Sequence, residues 1–111
     1  MAVSYKVLGQ VKPSAATLTT LYTVPTGSGN YAVGSTLTAC NLSTTIDVIR
    51  VAVRPAGAAI NDKHYIIYEA QLTAYQTAYF TIGITAASTD VVSVYSTSGN
   101  SVFNLFGSEN S

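Results

Sequence analysis

The chain has 111 residues, five basic and five acidic, and charged residues make up 9% against the roughly 25% of an ordinary soluble domain. A net charge of zero leaves no basic field for phosphates, so nucleic acid is not an expected partner. A hydrophobic content of 48% argues against intrinsic disorder, and size scaling lets a chain this long bury about two thirds of its extended surface, enough for one core and one domain.

Fifteen Thr, twelve Ser and eight Tyr favour pleated, half-buried surfaces, and helix formers are scarce, with three Lys and two Glu. In chain order, the first strand is expected at 3–9, before the break at Pro13-Ser14-Ala15-Ala16, so that residues 1–12 read as an N-terminal arm or an edge strand. A second strand at 17–24 runs into the turn Pro25-Thr26-Gly27-Ser28-Gly29-Asn30. A third, 31–40, sets Tyr31, Val33, Leu37 and Ala39 on one face and ends at Asn41-Leu42-Ser43. In the fourth, 46–54, Ile49, Val51 and Val53 alternate with Arg50, Ala52 and Arg54, which sends both arginines outward. Turns at Pro55-Ala56-Gly57 and Asn61-Asp62-Lys63 precede a strand at 64–72, with Ile66, Tyr68, Ala70 and Leu72 on the core face opposite Glu69 and Gln71. Phe80, Ile82 and Ile84 share a face of the next strand, 78–85. After Ala87-Ser88-Thr89-Asp90 comes 91–97, with Val92 and Val94 on one face, and after Ser98-Gly99-Asn100 a last strand at 101–106. Residues Ser108 to Ser111 are expected to fray.

Eight short strands at this spacing predict an all-β chain, a single antiparallel β-sandwich that is jelly-roll-like or immunoglobulin-like. The pattern alone does not choose between the two. The N-terminus, MAVSYKVLGQ, lacks the apolar core of a signal peptide. The charge-free stretches 13–46 and 70–89 are broken by Gly, Pro, Gln and Thr, so no membrane helix and no membrane partner are expected.

No residue set predicts chemistry, so no catalytic residue, metal ligand or cofactor is expected. Cys40 is alone, so no intrachain disulfide can form, and it reads as a buried structural thiol. His64, the single histidine, reads as a surface, turn or interface residue. Asp47, Asp62, Glu69, Asp90 and Glu109 are scattered singly, and Asp90, placed after Ser88-Thr89, is expected to cap a turn. Asn41-Leu42-Ser43 matches the glycosylation triplet, a pattern common by chance. Gly27-Ser28-Gly29 has no following helix to present its amides to a phosphate, and reads as a turn.

The candidate interface residues are Arg50 and Arg54, two of five cations on one strand, and Tyr65, Tyr75, Tyr79 and Tyr95, which fall on polar faces. Arg and Tyr are enriched where proteins meet, and outward phenol rings suit contact with protein or sugar. A neutral, charge-poor exterior favours association. Three readings follow: an assembly subunit, a carbohydrate- or receptor-binding β-module, and a small enzyme that no constellation supports.

Leu21-Tyr22-Thr23-Val24-Pro25-Thr26-Gly27, Ala39-Cys40-Asn41-Leu42-Ser43, Arg50-Val51-Ala52-Val53-Arg54-Pro55-Ala56-Gly57, Lys63-His64-Tyr65-Ile66-Ile67-Tyr68, Gly83-Ile84-Thr85 and Asp90-Val91-Val92-Ser93-Val94-Tyr95 follow one another along the chain. In these segments, over roughly residues 5–109, the sequence resembles small β-sandwich virion structural proteins of tailed bacteriophages, which include capsid decoration (cement) proteins and tail-associated proteins. The resemblance implies no catalytic residue. It implies a decoration protein of the virion, assembled in the host cytoplasm as a homotrimer and bridging capsomers through the major capsid protein or another virion protein. The alternatives are a tail or baseplate accessory protein, or a receptor- or glycan-binding module. Residues 2–12 are expected to pair with a neighbour's sheet edge.

Overall fold

The computed structural model describes residues 2–111. Nine strands follow one another: β1 (Val3–Val11), β2 (Thr19–Thr23), β3 (Tyr31–Asn41), β4 (Asp47–Arg54), β5 (Tyr65–Leu72), β6 (Thr77–Phe80), β7 (Ile84–Ala87), β8 (Val91–Ser96) and β9 (Ser101–Asn110). Two three-residue 3-10 turns, Pro55–Gly57 and Asp62–His64, are the helical elements among the described residues.

All pairings are antiparallel. A five-stranded sheet runs β1-β9-β3-β6, with β7 also on β3, and a four-stranded sheet runs β2-β8-β4-β5. Thus β1 lies beside β9, β2 beside β8, β3 beside β6 and β7, and β4 beside β5. That is a long hairpin with its tip at the β4–β5 connection, wound across two layers: the strand order of a jelly roll rather than of an immunoglobulin domain.

The inner faces meet in a core of Leu37, Ile49, Val51, Leu72, Val92, Val94, Phe103 and Leu105, each at most 2% exposed. Burying each of these side chains contributes about 1.5–3 kcal/mol before chain entropy is counted. The alternation expected in β4 is present: Ile49 and Val51 are fully buried, and both arginines lie on the outer side.

Two strands depart from the expected facing, each at a bulge, and a third is interrupted. In β3 the pairing with β9 slips between Gly34 and Thr36, which leaves Ser35 extra. Ala32 is therefore buried with Leu37 and Ala39, while Tyr31 and Val33 face out, against the expected single face. In β5 the partners of Ile49, Val51 and Ala52 are Ala70, Ile67 and Tyr65, so extra residues stand on β5 in both intervals. Ile66 and Tyr68, expected in the core, are exposed, while Leu72 keeps its inward place. The strand expected at 78–85 is two, because Thr81-Ile82-Gly83 leaves the sheet, with Gly83 at a φ of 59°.

The C-terminus does not fray. Strand β9 continues to Asn110, Glu109 is buried, and Ser111 and Ala2 exchange backbone hydrogen bonds. Residues 3–11 form the edge strand β1, paired along their length with β9. Gly107 is required there: a Cβ would stand 1.9 Å from the Val33 carbonyl oxygen.

Candidate functional site

The two outer faces of the sandwich differ in kind. On the five-stranded sheet, alternation and register place Val3, Tyr5 and Val7 of β1 outward, beside Asn104, Phe106 and Ser108 of β9. Tyr31, Val33, Thr36 and Thr38 of β3 continue the rows, which end on Tyr79 of β6 and on Thr85 and Ala87 of β7. Tyr5 is 87% exposed and Tyr79 72%, and Val3, Val7, Tyr31 and Phe106 are exposed with them.

No Asp, Glu, Lys or Arg stands on this face within the paired strands. Lys6 points to the other side of β1 and pairs with Glu109 at 2.9 Å. Lys12, beyond the end of β1, donates to the Gly99 carbonyl. Asp90, beyond β7, accepts from the N–H groups of Ala87 and Ala56, which confirms its turn-capping role. The low charge of the chain is therefore not spread evenly. It leaves one broad sheet face with no ion among its outward strand residues, flanked by Lys6 beside Tyr5 and Phe106 and by Asp90 beside Tyr31 and Thr85, while rings and aliphatic chains stay in water.

The four-stranded sheet carries a cation among rings. Arg50 of β4 faces out opposite Tyr95 of β8, and its guanidinium carbon lies 4.3 Å from the Tyr95 ring centroid and 4.6 Å from that of Tyr68. Its Nε donates to Glu69 at 2.8 Å, which holds the guanidinium more firmly protonated than usual. Tyr65 meets Tyr68 edge to face at 4.9 Å between centroids. The bulged backbone of β5 makes this cluster: Glu69 takes a φ of 58°, and Tyr68 turns away from the core toward Arg50. Tyr65, Tyr68 and Asp62 line an open cleft of about 390 Å³.

The sequence-predicted residues thus separate. Arg50, Tyr65 and Tyr95 come together, joined by Tyr68, which alternation had assigned to the core. Tyr79 lies on the opposite face, and Tyr75 sits in the tight β5–β6 turn with a φ of 58°. Arg54 is a clamp rather than a free anchor: it donates to Ser93 Oγ and to the carbonyls of Gly57 and Ala58, fixing the loop after β4.

Three other expectations change. His64 is in a turn, as expected, but buried, its Nδ1 accepting from the Asn61 N–H in a capping box. Cys40 is only half-buried, on the outer side of β3, not in the core. Asn41 is buried and its amide donates to the carbonyls of Thr45, Leu72 and Thr73, which spends it on the turn and not on a glycan.

Two carboxylates hold the layers together from inside. Asp47 accepts from Ser96 Oγ, Ser101 Oγ and the Ser98 N–H. Burial opposes its charge, but the bonds from Ser101, Ser96 and Ser98 outweigh it and keep the carboxyl below the usual range. Glu109 accepts from the Tyr22 hydroxyl and from Lys6, which also lowers its pKa. Among the described residues there is no group of three or more His, Cys, Asp or Glu that could hold a metal ion. No helix among them is long and apolar enough to cross a membrane.

No protein-family model matches the chain, and no curated protein matches it by sequence.

Proposed function

We propose that the protein is a structural subunit of a phage particle, a decoration-type protein that docks on the capsid through the outer face of its five-stranded sheet. The observation that carries this reading is that no ionic side chain stands among the outward strand residues of that face, Lys6 and Asp90 lying at its margins, combined with the exposure of Val3, Tyr5, Val7, Tyr31, Tyr79 and Phe106. The sequence resemblance to virion proteins supplies the class of partner. The jelly-roll order is compatible with it, since that fold recurs in viral shells, although it also serves lectins and enzymes.

The mechanism is mechanical. Each 100 Å² of apolar surface covered contributes about 2.5 kcal/mol before association costs. Contacts of modest strength, repeated over a lattice, add through multivalency. The outer edge of β1 carries unpaired backbone groups along nine residues, and a neighbouring copy adding its strand there gives the homotrimer a route to form.

Light scattering on the purified chain and co-sedimentation with capsids lacking this subunit test the proposal. A trimer of three 11.6 kDa chains and saturable capsid binding are expected. A monomer with no affinity for capsids overturns it, and a few copies bound only at the tail would move the protein there.

A further inference from the structure

The geometry points to a binding site for a neutral saccharide in the cleft between Tyr65, Tyr68 and Asp62. This site lies on the four-stranded sheet, on the other side of the sandwich from the uncharged face. A subunit docked by the uncharged face would therefore hold the cleft toward solvent.

The cleft volume, about 390 Å³, lies within the roughly 300–1,000 Å³ of small-molecule sites. Its walls are the two tyrosine rings, set at 71° to each other so that they make a corner rather than a stack. Tyr68 is 59% exposed, and Arg50 backs its ring at 4.6 Å. Arg50 is in turn fixed by Glu69 and Tyr95, so the ring is held before any ligand arrives, which lowers the ordering cost of binding. Asp62 makes no side-chain hydrogen bond or ion pair among the described residues, so its carboxylate is free to accept from a ligand.

Charge selects the ligand class. The Arg50 guanidinium beside Tyr68 repels a cation that would otherwise suit an aromatic–carboxylate corner. The charges around the cleft cancel, Asp62 against its neighbour Lys63 and Arg50 against Glu69, so no net positive charge draws an anion. A ligand with apolar C–H faces and neutral hydroxyl donors fits both demands: the ring faces of a sugar lie on phenol rings, and its hydroxyls donate to Asp62.

The test is an NMR titration of the free protein, which does not depend on capsid docking. The probes are neutral oligomers of glucose, galactose, rhamnose and N-acetylglucosamine, with sialylated and sulfated oligosaccharides and choline as charged controls. Saturable binding of at least one neutral probe is expected, with shifts at Tyr65 and Tyr68. Tyr68→Ala and, independently, Asp62→Asn should weaken it by about tenfold or more, and Tyr79→Ala on the opposite face should not. The inference is overturned by no saturable binding of any neutral probe, by binding that both cleft variants retain, or by preference for the charged controls. Asp62→Asn alters an exposed turn carboxylate, so it keeps the test decisive if Tyr68→Ala disturbs the cluster.

Discussion

The hydroxyl of Tyr22, in the four-stranded sheet, donates a hydrogen bond to the carboxylate of Glu109, in the five-stranded sheet. The two residues are 87 positions apart, and the bond joins the layers near the place where both chain ends meet. Burial and the Glu109 carboxylate raise the tyrosine pKa, while the hydrogen bond from Tyr22, then Lys6, lowers that of Glu109.

Tyr22→Phe should therefore destabilise the fold by about 1.5–3 kcal/mol, the range for a hydrogen bond to a charged group. Chemical denaturation of both forms measures it. A loss below about 0.5 kcal/mol would mean that water or Lys6 satisfies Glu109 equally well.

Acid should weaken the protein through two groups at once. Glu109 and Asp47 both have folded pKa values below their unfolded ones, which lie near 4.3 and 3.9. Their contribution is complete above those values and is lost as pH falls through the lower folded values. Tyr22 acts at the other end: its raised pKa means that stability declines as pH climbs past about 10, where the unfolded chain begins to ionise. Melting temperature against pH should show a plateau between these limits, and Asp47→Asn should flatten the acid limb while costing about 1–3 kcal/mol at neutral pH.

Two glycines make a contrast. At Gly107 an added Cβ meets the Val33 carbonyl at 1.9 Å, and the obstacle is backbone in a paired strand. Gly107→Ala should cost more than the about 1–3 kcal/mol typical of overpacking, or prevent folding. Gly83 has a positive φ but open space around it, so Gly83→Ala should cost only about 1–2 kcal/mol. Equal losses in thermal melts would contradict this account of the β3–β9 contact.

On the uncharged face, Tyr5→Asp should leave the melting temperature nearly unchanged, because Tyr5 is 87% exposed. It should reduce capsid co-sedimentation by at least about tenfold, since an ion would then be buried without a partner. Undiminished sedimentation would move the contact surface elsewhere.

Much of this architecture was legible in the residues. Period-two alternation located β4 and β8, and Gly, Pro and Asn marked the turns, because those signals are local. Bulges are not. The one hint of an extra residue at Ser35 is Gly34 before it, a glycine inside a strand pattern, and the bulge there reverses the facing of Tyr31 and Val33. The positive φ at Glu69 likewise falls on a residue with no special preference for it, and so Tyr68 looked like a core residue. The order of the last four residues depends on Tyr22 and on Ala2, both near the other end of the chain. Tyr65 and Tyr95 were picked out as outward rings, but only the β4–β5 and β4–β8 registers put them around one arginine.

The ion-free face has a practical corollary for adhesion. Attraction between opposite charges fades when the Debye length shrinks to about 3 Å in molar salt, whereas covering rings and aliphatic chains does not rely on that field. If the protein docks as proposed, through Val3, Tyr5, Val7 and Phe106, it should stay on its particle through brine and fresh water alike.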